Sequence, residues 1–185
     1  MKVLYTGGDG QLANQLKATS TSLEIYYPSK EECNLLSVDS INEYVRVNSE
    51  FDIVITGANQ FPGNIQYFNC ASFEIPAKHL LLIEKLSRKP KYFINLTSGL
   101  KQTDEHYLYR AQKCYAEDLF IRYFGFENNR DTHFINLFPG HIDDKDLRKD
   151  IAVKIMYMLE HIDEYRETQY VYDQSSNSIV NFRYA

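Results

Sequence analysis

The sequence predicts an α/β fold, a largely parallel sheet with helices on both faces. Three observations carry this. Short runs rich in Val, Ile, Leu, Phe and Tyr recur along the chain, each bounded by Gly, Pro, Asn or Ser. Longer segments with apolar residues three and four positions apart lie between them. The two kinds alternate from Lys2 onward, the order that joins parallel strands by crossover helices. The 185 residues suit one compact domain, predicted to span 1–185.

The elements follow in order. Lys2–Tyr5 reads as a short buried strand. A helix begins after Gly10, with Leu12, Ala13 and Leu16 inward, and should end near Ser20. Leu23–Tyr27 is a strand stopped by Pro28. The next helix starts near Ser40, with Asp39 or Ser40 as its cap. Phe51–Thr56 is a strand, and the Gly-, Asn- and Pro-rich stretch 57–63 a loop. A long helix covers about Tyr67–Ser87, with Pro76 kinking it or marking its start. Tyr92–Leu96 is a strand followed by Thr97-Ser98. A second long helix covers Asp104–Phe124 and is closed by Gly125. Thr132–Phe138 is a strand ending at Pro139-Gly140, and Asp146–Glu160 a helix. Gln169–Tyr172 and Ser178–Phe182 are late strands, with a hairpin turn at 175–177.

Composition narrows the function. A net charge of −5 gives no electrostatic ground for a nucleic-acid partner. No apolar run approaches the roughly 20 residues that cross a bilayer, and Met1-Lys2 leads into a strand rather than a secretory signal. Cys33, Cys70 and Cys114 are odd in number and widely spaced, which suggests a reducing cytoplasm and neither a disulfide framework nor a metal motif. The five histidines (His79, His106, His133, His141 and His161) show no metal spacing, so no metal is expected.

In a parallel sheet, ligands sit at the C-terminal strand ends, where the strand order reverses. The first such end is TGGDGQLA (residues 6–13). Its small residues Gly7, Gly10 and Ala13 permit a sharp turn and a close approach to a pyrophosphate, and the helix that follows offers N–H groups to an anion. The context of strand before and helix after favours a dinucleotide loop over a plain turn. The second signal is YRAQK. On a helix, Tyr109 and Lys113 share a face. An ammonium near a phenol lowers the phenol's pKa and fits it for acid/base work on a carbonyl or alcohol. An isolated Tyr-x-x-x-Lys is more often an ordinary amphipathic pair, but this one follows Ser98, at the strand end predicted to border the ligand.

This ordered set resembles the short-chain dehydrogenases/reductases. TGGDGQLA resembles the family's TGxxGxxG/A loop, in the form found in extended members and in reductases like dTDP-4-dehydrorhamnose reductase. ITGAN (55–59) stands where the family often has NNAG. NLTS (95–98) resembles the segment ending in the active-site serine, YRAQK supplies YxxxK, and FPGHIDD (138–144) resembles the segment beside the nicotinamide. The fold implied is a Rossmann-like doubly wound parallel sheet in three α/β/α layers, with a truncated C-terminal substrate region. The roles implied are Tyr109 as acid/base, Lys113 lowering its pKa and binding the nicotinamide ribose, Ser98 (with Thr97 as second choice) orienting the substrate oxygen, and Asn69 as the relay asparagine. The cofactor contacts implied are Gly7, Asp9, Gly10, Gln11 and Leu12 in the first loop, then Ser29, Lys30, Asn34 and Leu35. Gly57, Ala58 and Asn59 follow, then Pro139, Gly140 and Ile142, together with Tyr109 and Lys113.

The chain also departs from the pattern. Thr56 replaces the usual asparagine, so support of the central strands should differ. Asn34 stands where many relatives carry an aspartate toward the adenine. No carboxylate ends the second strand. Ser29-Lys30 stands there instead and suits a 2′-phosphate, so NADP is expected over NAD. Only about 45 residues follow Gly140, so the substrate pocket should be small, open or completed by another subunit. The expected function is hydride transfer between NAD(P)(H) and a small carbonyl or alcohol. The alternatives are a catalytically weak NAD(P)-binding regulatory or interaction protein, and a nucleotide-sugar epimerase or reductase completed by a partner. The resemblance also implies a homo-oligomer formed through the two long helices.

Overall fold

The computed structural model describes residues 1–58, 71–97, 107–125, 131–139 and 145–181, of which 71–72 and 107–110 are described as backbone. In chain order the elements are β1 (Lys2–Tyr5), α1 (Gln11–Lys17), β2 (Glu24–Tyr26), α2 (Val38–Val47), β3 (Ile53–Thr56) and α3 (Ala71–Lys85). They continue with β4 (Tyr92–Leu96), α4 (Tyr107–Gly125), β5 (His133–Phe138), α5 (Lys145–Glu160), β6 (Gln169–Asp173) and β7 (Ser178–Asn181).

The seven strands form one sheet in the order β2-β1-β3-β4-β5-β6-β7. Every pair is parallel except β6–β7, which closes as an antiparallel hairpin. The predicted α/β architecture is therefore the one observed. From β1 the chain first steps outward to β2 and then crosses back to β3. The order reverses between β1 and β3, and a crevice opens at their C-terminal ends.

Alternation along the strands divides the core in two. Val3, Ile53, Ile55, Ile94 and Ile135 face α1 and α5. Leu4, Val54, Phe93 and Phe134 face α2, α3 and α4. The strands are buried on both faces, which is why they read as continuous apolar runs rather than alternating ones. Rings fasten α4 to the sheet: Phe93 lies 4.9 Å from Phe120 and 4.8 Å from Phe124, and Phe124 stacks 5.4 Å from Phe134.

Several boundaries differ from expectation. α1 ends at Lys17 rather than near Ser20. The cap of α2 is neither Asp39 nor Ser40 but Ser37, whose hydroxyl accepts the Ser40 N–H. The strand expected from Phe51 begins at Ile53, and just before it the Asp52 carboxylate accepts the Lys2 N–H at 2.8 Å. Pro76 lies inside α3, which is already helical at Ala71. Gly125 is the last residue of α4 rather than a residue beyond it. No helix among the described residues is long and apolar enough to cross a membrane.

Candidate functional site

The turn after β1 is built by contacts that leave no room for side chains. Gly7 has φ of +77°, and a Cβ there would lie 2.7 Å from the Ala58 backbone. At Gly8 a Cβ would lie 2.1 Å from the Tyr27 carbonyl oxygen. Both polar groups of Gly8 are tied down. Its N–H donates to the Pro28 carbonyl at 2.9 Å, and its carbonyl accepts from Lys17 Nζ at 2.8 Å. The Gly10 N–H returns to the Gly7 carbonyl, and the first bond inside α1 is Asn14 N–H to Gly10 O. Gln11, Leu12 and Ala13 thus carry the N–H groups that a helix start leaves over.

A cleft of about 390 Å³ opens where β1 and β3 diverge. The first loop contributes Gly7, Asp9 and Gly10 to its wall, and the exit of β2 contributes Ser29 and Lys30. Asn34 and Leu35 lie ahead of α2, with Gly57 and Ala58 after β3. Nine residues assigned to a cofactor from the sequence are therefore neighbours here. The rim is stitched by carboxylates: Asp9 accepts the Lys30 N–H at 3.0 Å, and Glu32 accepts the Ser29 N–H at 2.7 Å while its own N–H donates to Ser29 Oγ. Sequence reasoning missed Cys33, Leu36 and Ile75, which also line the cleft. Burial pushes the Cys33 thiol up to about 11, so it is an inert wall group rather than a nucleophile.

Other predicted residues lie elsewhere. Leu12 is a core residue, 5 % exposed, so only its backbone is available to a ligand. Gln11 is exposed on the first turn of α1, and Pro139 is buried just past β5. Tyr109 falls on the first turn of α4, four residues before Lys113. Asn59, Asn69, Ser98, Gly140 and Ile142 lie outside the described residues.

His79, unremarkable in sequence, anchors the crevice from below. It is 2 % exposed. Its Nδ1 lies 2.9 Å from the Ile75 carbonyl, which can only accept, so Nδ1 carries the proton. Nε2 must then accept, and the Thr6 hydroxyl donates to it at 2.8 Å rather than to the Ile55 carbonyl at 3.2 Å. The freed lone pairs of Thr6 accept the N–H groups of Gly57 and Ala58, each at 3.2 Å. His79 thereby fixes the backbone that abuts Gly7. Burial first, and the nearby Lys113 charge, lower its pKa to about 4 against the pull of the Ile75 bond. The unfolded chain takes up this proton near pH 6.5 and the folded chain only near 4, so stability is lost as pH falls through that window, by at most about 3 kcal/mol. Urea midpoints should fall more steeply from pH 6.5 to 4 in the native protein than in His79→Gln. Parallel slopes would refute this assignment.

Next to it runs a polar ladder across three strands. The register pairs Thr56 with Asn95 and Asn95 with Asn136. Thr56 Oγ1 accepts the Leu96 N–H, so its proton goes to Asn95 Oδ1 at 2.9 Å. Asn95 Nδ2 donates to Asn136 Oδ1 at 2.9 Å, and Asn136 Nδ2 donates to Glu117 Oε1 of α4 at 3.1 Å. Thr56 thus supports the central strands in its own way. One helical turn before Glu117, Lys113 Nζ donates to the Leu96 carbonyl at the end of β4, at 2.8 Å. Desolvation lowers its pKa to about 8. A half-buried cation held at the strand ends, one turn from Tyr109, can support acid/base chemistry there.

No family model matches the chain, and no curated protein matches it in sequence. Its fold does match solved structures. A dTDP-4-dehydrorhamnose reductase from Clostridium acetobutylicum superposes with a TM-score of 0.62 at 13% identity, over 92% of this chain and 73% of that one. A GDP-L-fucose synthetase from Naegleria fowleri, bound to NADP, gives 0.70 at 12% identity, over 97% and 79%. A small-chain dehydrogenase gives 0.69 at 15% identity, over 92% and 94%. The chain has the fold of the short-chain dehydrogenase/reductase superfamily.

Proposed function

We propose that the protein is an NAD(P)(H)-dependent oxidoreductase that transfers a hydride to or from a small carbonyl or alcohol, with NADP as the preferred cofactor. The observation that carries the reading is the cleft at the β1–β3 reversal, where the close-packed glycine turn, an apolar wall and the Ser29-Lys30 pair meet. These residues fit a dinucleotide. Gly7 and Gly10 would let a pyrophosphate approach the backbone, and the apolar wall would take a flat base. The Lys30 ammonium and Ser29 hydroxyl would hold a 2′-phosphate. The NADP bound by the fucose synthetase supports the same preference.

The nicotinamide, when bound, supplies or accepts the hydride. The chain's part is to place and move a proton. Tyr109 would give its phenolic proton to a carbonyl oxygen, or take one from an alcohol, and the Lys113 ammonium would ease the charge that develops on the phenol. Ser98 would orient the substrate oxygen, and Asn69 would pass the proton onward. We propose in addition that α3 and α4 pair with those of a second copy. Light scattering should give about twice the 21.7 kDa chain mass. A monomer at assay concentrations would remove that proposal.

The functional reading is tested by titrating the protein with NADPH and NADH and assaying a panel of aldehydes and ketones. NADPH should bind more tightly. Lys30→Glu should weaken NADPH by about tenfold or more and leave NADH within about threefold, since the lost contact is charge-assisted and only the 2′-phosphate uses it. Equal losses for both would discard the NADP assignment, and no binding of either would discard the reading.

A further inference from the structure

Asn34 is the polar side chain set among the apolar residues of the cleft. Leu35 and Ile75 are buried beside it, and Leu36 and Ala58 pack on the same core. With phosphates at the glycine turn, as the dinucleotide reading has it, this apolar part of the cleft would receive the base. The carboxamide is not free to rotate. Its Oδ1 accepts the Leu36 N–H at 3.0 Å, while the Asn34 backbone N–H donates to Ser40 Oγ at 2.9 Å and its carbonyl accepts the Ser37 N–H. That bond identifies which terminal atom is oxygen and leaves Nδ2 on the other side. No described residue accepts from Nδ2.

We infer that Asn34 reads the purine base as a hydrogen-bond donor and does not select for the exocyclic amino group that marks adenine. Nδ2 carries two hydrogens and no lone pair in the amide plane. It can meet a ring nitrogen or a carbonyl oxygen, but it cannot accept from the 6-amino group. A base with an oxygen at C6 therefore suits Asn34 at least as well as adenine. The site then takes a purine dinucleotide with little discrimination at position 6. An aspartate in the same place would retain the oxygen that holds Leu36 and present a second oxygen to the base. That oxygen would accept from an amino group and repel a carbonyl.

This inference rests on the dinucleotide reading, and one set of titrations separates the two. Binding of NADPH and of its hypoxanthine analogue, reduced nicotinamide hypoxanthine dinucleotide phosphate, is followed by nucleotide fluorescence. The native protein should bind the two with Kd values within about threefold. Asn34→Asp should bind the hypoxanthine form about tenfold more weakly than NADPH, the scale of one mispaired polar group. A native protein that prefers NADPH by more than tenfold overturns the inference whatever the variant does, as does an Asn34→Asp variant with an unchanged ratio. Failure of the native protein to bind either dinucleotide overturns the functional reading, and the inference with it.

Discussion

Tyr109→Phe should lower carbonyl reduction by about a thousandfold while leaving the Kd for NADPH within about threefold. The substitution removes one oxygen and its proton and keeps the ring, so what is lost is proton transfer, which contributes between a hundred- and ten-thousandfold. Lys113→Met should cost a similar factor in turnover and also weaken cofactor binding, because the same ammonium is assigned to the ribose. The pH dependence follows from Lys113. Desolvation brings its pKa down to about 8 from the usual lysine range. Below that pH the ammonium is present in both folded and unfolded chains. As pH rises through about 8 the folded chain gives up its proton first, so stability increases toward the lysine value near 10.4 while the charge supporting Tyr109 disappears. Activity should therefore decline above about pH 8 as the folded state becomes more resistant to urea. Retained turnover in Tyr109→Phe would remove the mechanism, and turnover and stability declining together with pH would remove the role of Lys113.

Much of the scaffold was legible because it depends on neighbours in sequence. Runs such as Ile53–Thr56 and Tyr92–Leu96 declare strands by their own composition. The glycine turn declares itself because Gly7 and Gly8 each exclude a side chain by touching backbone. Boundaries were less legible where several residues offered the same service. Ser37, Asp39 and Ser40 are all competent caps, and the choice of Ser37 depends on Ser40 turning its hydroxyl to the Asn34 N–H. Least legible were contacts made only by the folded topology. Thr6 and His79 meet across 73 residues, and Thr56 and Asn95 across 39. A buried histidine and two strand asparagines carry no local pattern that announces such partners. Lys17 holds the Gly8 carbonyl from the end of α1, a contact that nothing local to it announces. Ile75 and Cys33, distant from the glycine turn in sequence, line the cleft beside it.

The asparagine ladder should be the most costly part of the site to break. Asn136 is 0% exposed and both accepts from Asn95 and donates to Glu117. Asn136→Leu would leave the buried Asn95 amide without a partner and take from the half-buried Glu117 carboxylate its hydrogen bond, for a loss of about 2 kcal/mol read from denaturant midpoints. A loss below about 1 kcal/mol would mean that water replaces the ladder readily. Asn136→Asp separates polarity from packing. The new carboxylate still accepts from Asn95 but faces Glu117, whose pKa burial already raises. Two acceptors of like charge would share one proton, so the folded chain would bind a proton the unfolded chain has released. Stability in this variant should be lowest at neutral pH and recover as pH falls toward the carboxylate range. Adding Glu117→Gln should restore much of the neutral-pH loss, because the Gln amide donates where the Asn136 amide did and only one charge remains. If the double variant is no more stable than Asn136→Asp alone, the ladder's direction does not matter, and its residues contribute only by filling space.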